Sequence, residues 1–445
     1  MINPTPIAPP VSSFGEQKWN AARSRIRAFD GGHNGLNAIS SLAPRPATHP
    51  EGPLSALTVA VKDNIDVVGL PTTTGSLALE GAEPVRNADV VDALRDAGAL
   101  LVAKTTQLEL SGWVTFAAPA GYSALGGRPL NPHNPRLSTG GSSSGAAVAV
   151  AAGYVDVAIG TDTGGSILNP AGLNGVFGLR PTVGRVSVRG VVPISPRQDT
   201  PGPMSLSSRH LAATMSAIVH ERADEFHSRL DDRRMESLTV GIPMLAGVSG
   251  EDLAHWRERL AHLRAAGAAL VPLLEDLPWR GHGDLTVPTY DFRENIDPYL
   301  AGVRAPTGVD DFDSLVAHYL ADPTARMPYG ADNLLRSAKV DLERDRSHRD
   351  DVWQLERSGT RRTLERIHER FSVDVVLFPG GGAAYFSSKS GYPALTIPGA
   401  VGADGLMHFT TALATQPDAE QMLLDLAYGL EKNLGAPASA PLPEV

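Results

Sequence analysis

Apolar residues recur along this chain with two different periods. Val90, Ala93, Leu94 and Ala97 share one face of a 3.6-residue turn, so Asp89–Ala97 is predicted as an amphipathic helix that Gly98 ends. Leu253, Trp256, Leu260 and Leu263 repeat the pattern and predict a helix over Glu251–Ala266, closed by Gly267. Helices are also expected over Glu16–Phe29, Thr106–Trp113, Ala146–Ala152, Ser207 or Ser208 to about His220, Asp291–Leu300 and Asp418–Leu434. The last would open on a capping box of Asp418 and Gln421. Leu334–Phe371 reads as interrupted helix, and its many charges as a solvated face.

Short β-branched or apolar runs give the second period. Leu57–Val61, Leu100–Ala103, Val155–Ile159, Ser237–Ile242, Ala268–Pro272, Val373–Pro379 and Ala394–Pro398 are predicted strands. Strand, helix and strand alternate, which implies an α/β fold: a large mixed β-sheet core covered by helices on both sides. No repeat or linker divides residues 1–445, so a single domain is expected, with residues 1–15 as a Pro-rich flexible arm and a turn at His49–Pro53. Val114–Gly127 has no period. A long irregular stretch carrying Phe116 and Tyr122, just after Trp113, is a candidate pocket wall.

Composition removes several classes of function. Acidic residues outnumber basic ones, 49 to 39, for a net charge of −10, which argues against nucleic-acid partners. There is no cysteine, so disulfides, thiolate metal sites and cysteine nucleophiles are excluded. The 13 histidines show no metal-ligand spacing, and no metal or other cofactor is expected. No apolar run is long enough to cross a membrane. The start, MINPTPIAPPVSS, has neither the basic n-region nor the apolar h-region of a signal peptide, so a cytoplasmic location is expected.

Candidate chemistry concentrates in two glycine–serine clusters, Gly140-Gly141-Ser142-Ser143-Ser144-Gly145 and Gly160-Thr161-Asp162-Thr163-Gly164-Gly165-Ser166. Paired glycines before a serine let main-chain N–H groups approach a ligand, as an oxyanion hole requires. A serine needs a base. A Ser-His-Asp/Glu triad, an α/β-hydrolase elbow and a Ser-Ser-Lys relay are the arrangements to weigh. Gly141–Gly145 has the G-x-S-x-G form of the elbow, but Asn131–Thr139 before it is turn-forming where the elbow needs a strand.

The stretch Ser138–Thr182 resembles the amidase signature family: a GGSS cluster, then G-T-D-x-G-G-S-I, then Gly178-Leu179-Arg180-Pro181-Thr182. Upstream, Leu57–Asn64 matches the segment that carries the family's catalytic lysine. Downstream, Gly184–Pro203 matches the continuation, and the run Gln198–Pro203 is most like the bacterial peptide amidase branch. The likeness is dense over residues 36–208. It implies the amidase signature fold and a Ser-Ser-Lys triad: Ser166 as nucleophile, Ser142 as bridging serine on a cis peptide bond, and Lys62 as the base. The main-chain N–H groups of Thr163, Gly164, Gly165 and Ser166 are then expected to form the oxyanion hole, with Ser143 hydrogen-bonding within the triad and Asp162 a structural acceptor that holds the glycine loop. Lys62 must be neutral to act, which burial at a strand end would favour.

Ser144 stands where many members have glycine, and Leu168-Asn169 replaces a common Arg-x. The Pro379–Gly391 connection is short, which implies an open acyl site with Trp113, Phe116, Tyr122, Gly140, Gly141, Tyr385 and Phe386 as candidate substrate contacts. The expected activity is hydrolysis of amide C–N bonds through an acyl-enzyme, with peptide C-terminal amides the nearest analogy. Aryl amides, esters or carbamates are the alternative substrates. An amidotransferase subunit or a non-catalytic scaffold are the other classes. The expected partner is a small-molecule or peptide amide, bound by a monomer or homodimer, with no nucleic acid and no membrane.

Overall fold

The computed structural model describes residues 13–32, 35–44, 51–219, 226–244, 250–274, 277 and 284–442. The predicted arm before Ser13, residues 49 and 50 of the predicted His49–Pro53 turn, and the helix end at His220 lie outside them.

Thirteen strands are described: β1 Ile39–Leu42, β2 Thr58–Lys62, β3 Glu83–Pro84, β4 Leu100–Thr105, β5 Val157–Asp162, β6 Phe177–Arg180, β7 Thr200–Ser205, β8 Thr239–Pro243, β9 Ala269–Leu273, β10 Val303–Arg304, β11 Val375–Pro379, β12 Ala394–Val401 and β13 Met407–Ala414. Eleven form one sheet in the order β1-β4-β2-β5-β7-β6-β12-β13-β11-β8-β9, and β10 pairs with β3 in a small second sheet. The large sheet is mixed. β2 runs parallel to β4 and β5, while β7, β6, β12 and β13 pair antiparallel with their neighbours.

Thirteen α-helices accompany them: α1 Ser13–Phe29, α2 Asp89–Asp96, α3 Ser144–Ala151, α4 Leu168–Leu173, α5 Ser208–Ile218, α6 Gly250–Ala265, α7 Thr286–Leu300, α8 Phe312–Ala321, α9 Pro323–Arg326, α10 Asp332–Ser337, α11 Arg346–Phe371, α12 Ala383–Ser390 and α13 Glu420–Leu434. Strand alternation distributes them over both faces. Val59, Val61, Val375 and Leu377 point into a core shared with α2, α5, α6 and α13. Ala60 and Ala158 point the other way, onto α1 and α3, and Val376 and Phe378 onto α11 and α12. A third cluster joins α7, α8 and α10 to Trp113 and Leu110.

Several expectations change. Thr106–Trp113 is no α-helix: only Glu109–Gly112 turns, as 3₁₀, with Leu110 and Ser111 at φ of 44° and 55°. Tertiary bonds hold it, since Glu109 takes hydrogen bonds from Tyr319 Oη at 2.5 Å and Ala124 N at 2.8 Å. The capping box at Asp418 does not form. Asp418 sits at φ 56°, gives its N–H to Thr182 Oγ1 at 3.0 Å, and leaves Ala419 as the uncapped helix start. The charge on α11 is not all solvated, because Arg349 is buried in contact with Asp291.

The Pro379–Gly391 connection is not a gap in the rim. It folds as α12, and a side chain at Gly165 would meet Ala384 Cβ at 2.8 Å. Phe386 is 2% exposed and stacks on Phe378 with centroids 5.7 Å apart, so it is core and not pocket wall. Trp113 is likewise core, with its indole N–H bonded to Ser337 Oγ at 3.0 Å.

Candidate active site

β2 ends on Lys62, which shares the side-chain direction of Ala60 and therefore points toward α3. The lysine is fully buried. Its Nζ donates to Ser142 Oγ at 2.7 Å and to Thr161 Oγ1 at 2.9 Å. Thr161 also receives Asn64 Nδ2 at 3.0 Å, which fixes the hydroxyl that orients the amine. Burial pushes the Lys62 pKa down to about 7, while the carboxylates of Asp162 and Asp199 pull it back up.

Ser142 enters the site from a turn. No strand stands immediately before it, since residues 106–141 contain none, which removes the elbow geometry. The Gly141–Ser142 peptide is cis. Gly140 has φ +66°, and a Cβ there would stand 2.9 Å from Pro170 Cα, so a side chain at this position would push α3 and α4 apart. Gly141 faces the Leu108 side chain. Ser143 precedes α3. Its Oγ donates to Thr161 O at 3.1 Å and accepts Thr161 N at 3.3 Å, while its N–H donates to Ser166 O at 3.2 Å. One residue thus ties together the Ser142 turn, β5 and the Ser166 loop.

The loop 163–166 leaves β5 and folds around Asp162. Asp162 Oδ1 accepts Gly165 N at 2.7 Å, and Oδ2 accepts Ile167 N at 2.7 Å. Gly165 therefore drops out of the predicted oxyanion donors: at φ +110° its N–H turns inward and is already bonded. The N–H groups of Thr163, Gly164 and Ser166 carry no such bond to a described residue. Gly164 is exposed and Ser166 half-buried.

Sequence reading gave no role to Arg180, Asp199 or Thr161. Arg180 is buried, and its guanidinium ties the end of β5 to neighbouring elements: it donates to Asp162 O at 2.6 Å, Asp162 Oδ1 at 3.0 Å, Gln198 O at 2.8 Å and, on α12, Ser387 Oγ at 2.9 Å. All three lie in the matched motifs, but only tertiary contact shows what each one holds.

Of the predicted wall residues, Phe116 is exposed and Tyr122 and Tyr385 half-buried. Tyr122 meets Tyr329 edge-on, with centroids 4.9 Å apart. A cavity of about 440 Å³ lies elsewhere, between α6, α13 and the β12–β13 hairpin, and contains none of the predicted site residues. No group of three or more His, Asp or Glu among the described residues could hold a metal ion, and no described helix is long and apolar enough to cross a membrane.

An eleven-stranded mixed sheet carrying a buried lysine and two glycine–serine loops defines a class, and the family model described as Amidase matches residues 36–418. The chain belongs to the amidase family. It is similar to the mandelamide hydrolase of Pseudomonas putida, at 29% identity over 416 residues, 86% of this chain and 79% of that one. The native peptide amidase of Stenotrophomonas maltophilia superposes with a TM-score of 0.85 at 29% identity, covering 97% of this chain and 96% of that one. The A-type subunit of a glutamyl-tRNA(Gln) amidotransferase, from Methanospirillum hungatei, is 39% identical over 236 residues. That match takes in 51% of this chain, which thus spans about half, 53%, of the length of that relative.

Proposed function

We propose that this protein is a serine amidohydrolase acting through an acyl-enzyme. Ser166 Oγ attacks the acyl carbon, and its proton passes to Ser142 Oγ as the Ser142 proton passes to the lone pair of Lys62. The N–H groups of Thr163, Gly164 and Ser166 receive the oxyanion. The C–N bond then breaks, and the same relay returns the proton to the departing amine. Water, activated by the relay in reverse, releases the acid from Ser166.

One observation carries this reading: the Lys62 amine is completely enclosed, held near neutrality by burial, and 2.7 Å from Ser142 Oγ. Peptide C-terminal amides are the favoured substrates, on the strength of the likeness to peptide amidase along nearly the whole chain. Small aryl amides are the second reading, supported by the similar mandelamide hydrolase.

A fluorophosphonate labelling experiment with peptide mapping tests the mechanism, and a panel of amides, anilides, esters and carbamates tests the substrate. Label on the peptide containing Ser166, lost in Ser166→Ala, is the expected result. Stoichiometric label on any other residue refutes the assignment.

A further inference from the structure

We propose that Asp199 is a positioning residue for the oxyanion side of this site, anchoring Thr163 and tying the catalytic loop to helix α7. The inference rests on the reading of residues 163–166 as the oxyanion loop. Asp199 precedes β7, is buried, and takes the Thr163 hydroxyl on Oδ1 at 2.6 Å. Its Oδ2 accepts Ile194 N and Ser195 N, both at 2.9 Å. The chain of contacts continues outward: Ser195 Oγ donates to Asp291 Oδ2 at 2.6 Å on α7, and Asp291 is paired with Arg349 on α11. Asp162 fixes the loop from the Gly165 side, but Thr163 has its only described side-chain anchor in Asp199. Three donors converge on one carboxylate and favour its charged form, against the burial that raises its pKa.

That charge also reaches Lys62, whose pKa the carboxylates of Asp162 and Asp199 pull up against burial. The other charges around are paired: Arg180 with Asp162 at 3.0 Å, Lys104 with Asp63 at 3.6 Å, and Lys389 of α12 with Glu356 at 2.7 Å. Replacing Asp199 therefore does two separable things. It frees Thr163, and it removes a negative charge that holds a proton on Lys62.

The test compares the parent, Asp199→Asn and Thr163→Val as full chains, with kcat and KM for an anilide measured from about pH 5.5 to about 9.5. In Asp199→Asn the new amide faces two N–H donors. Its kcat should fall on the order of 10²-fold with KM within a few-fold, and its acidic limb should move to lower pH. A fall with the limb unmoved, or kcat within threefold of the parent, overturns the proposal. Thr163→Val removes the anchored hydroxyl and leaves the carboxylate, and carries the test if Asp199→Asn does not fold. A kcat loss above threefold at unchanged KM, with the limb in place, supports the anchor; a smaller loss overturns it. Mapping the fluorophosphonate label in the parent keeps the two questions apart: label away from Ser166 refutes the proposed mechanism, whatever Asp199 does.

Discussion

Lys62 Nζ stands 2.7 Å from Ser142 Oγ across 80 positions of sequence, with both residues shut away from solvent. A protonated amine there can only donate. A neutral one can accept the serine proton. Burial decides between them by setting the Lys62 pKa at about 7. In the pH profile, kcat/KM should accordingly rise through about pH 7 and level off above it. A limb near the ordinary lysine value would show that Lys62 is not the titrating base.

Lys62→Ala should lose activity by ~10²–10⁴-fold, the usual contribution of a general base, or more where the relay fails as a unit. An ester with a good leaving group should suffer less than an amide, because its leaving group needs no proton. Equal losses on matched ester and amide substrates would remove Lys62 and Ser142 from the relay.

Breaking the Arg180–Asp162 pair should cost both fold and function. Both side chains are fully buried. Arg180→Met leaves the Asp162 carboxylate uncompensated, and such losses run to ~3–5 kcal/mol. Denaturant unfolding should show this destabilisation, with reduced labelling of Ser166 in the fraction that remains folded. A variant as stable as its parent would mean that water replaces the guanidinium.

How much of this the sequence disclosed depends on where each element gets its stability. The apolar runs at Val59–Val61 and Val157–Ile159 are buried on both sides, so the strands that deliver Lys62 and Asp162 were legible, the first within one residue and the second within three. Thr106–Trp113 looked helical because its formers are good, yet Glu109 is held by Tyr319, 210 positions away. No local pattern records that bond. α12 was equally hidden, since GGGAAYFSSKS opens on three glycines and its burial comes from the sheet beneath. Aromatic residues near the motif invited a pocket reading, which Phe116 and Tyr385 allow by their exposure and Trp113 and Phe386 do not. The Gly165 N–H, expected to face an oxyanion, is diverted by the backbone geometry of its own loop.

Phe386→Ala should therefore read as a core cavity. A loss of ~3–5 kcal/mol of stability is expected, with the ranking of substrates unchanged in the folded enzyme. A changed preference among acyl groups at undiminished stability would return Phe386 to the pocket wall.

Lys62 has a folded pKa of about 7 and an ordinary value of 10.5, so the folded state resists the proton that the unfolded state holds. Below about pH 7 the lysine is protonated in both states, and the full desolvation penalty weighs on the fold. As pH climbs from about 7 toward 10.5 the penalty is relieved, at roughly 1.4 kcal/mol per pH unit. Lys62→Met fills similar volume with no charge to bury, at the loss of the bonds to Ser142 and Thr161. The inactive variant should thus gain on the parent most at about pH 6, and the difference should shrink steadily toward about pH 9.5. Paired urea melts at the two pH values measure it directly. A difference that stays constant with pH would mean that Lys62 keeps an ordinary pKa in the folded protein, and one that widens as pH rises that its pKa is raised; in either case Lys62 is not poised as a base.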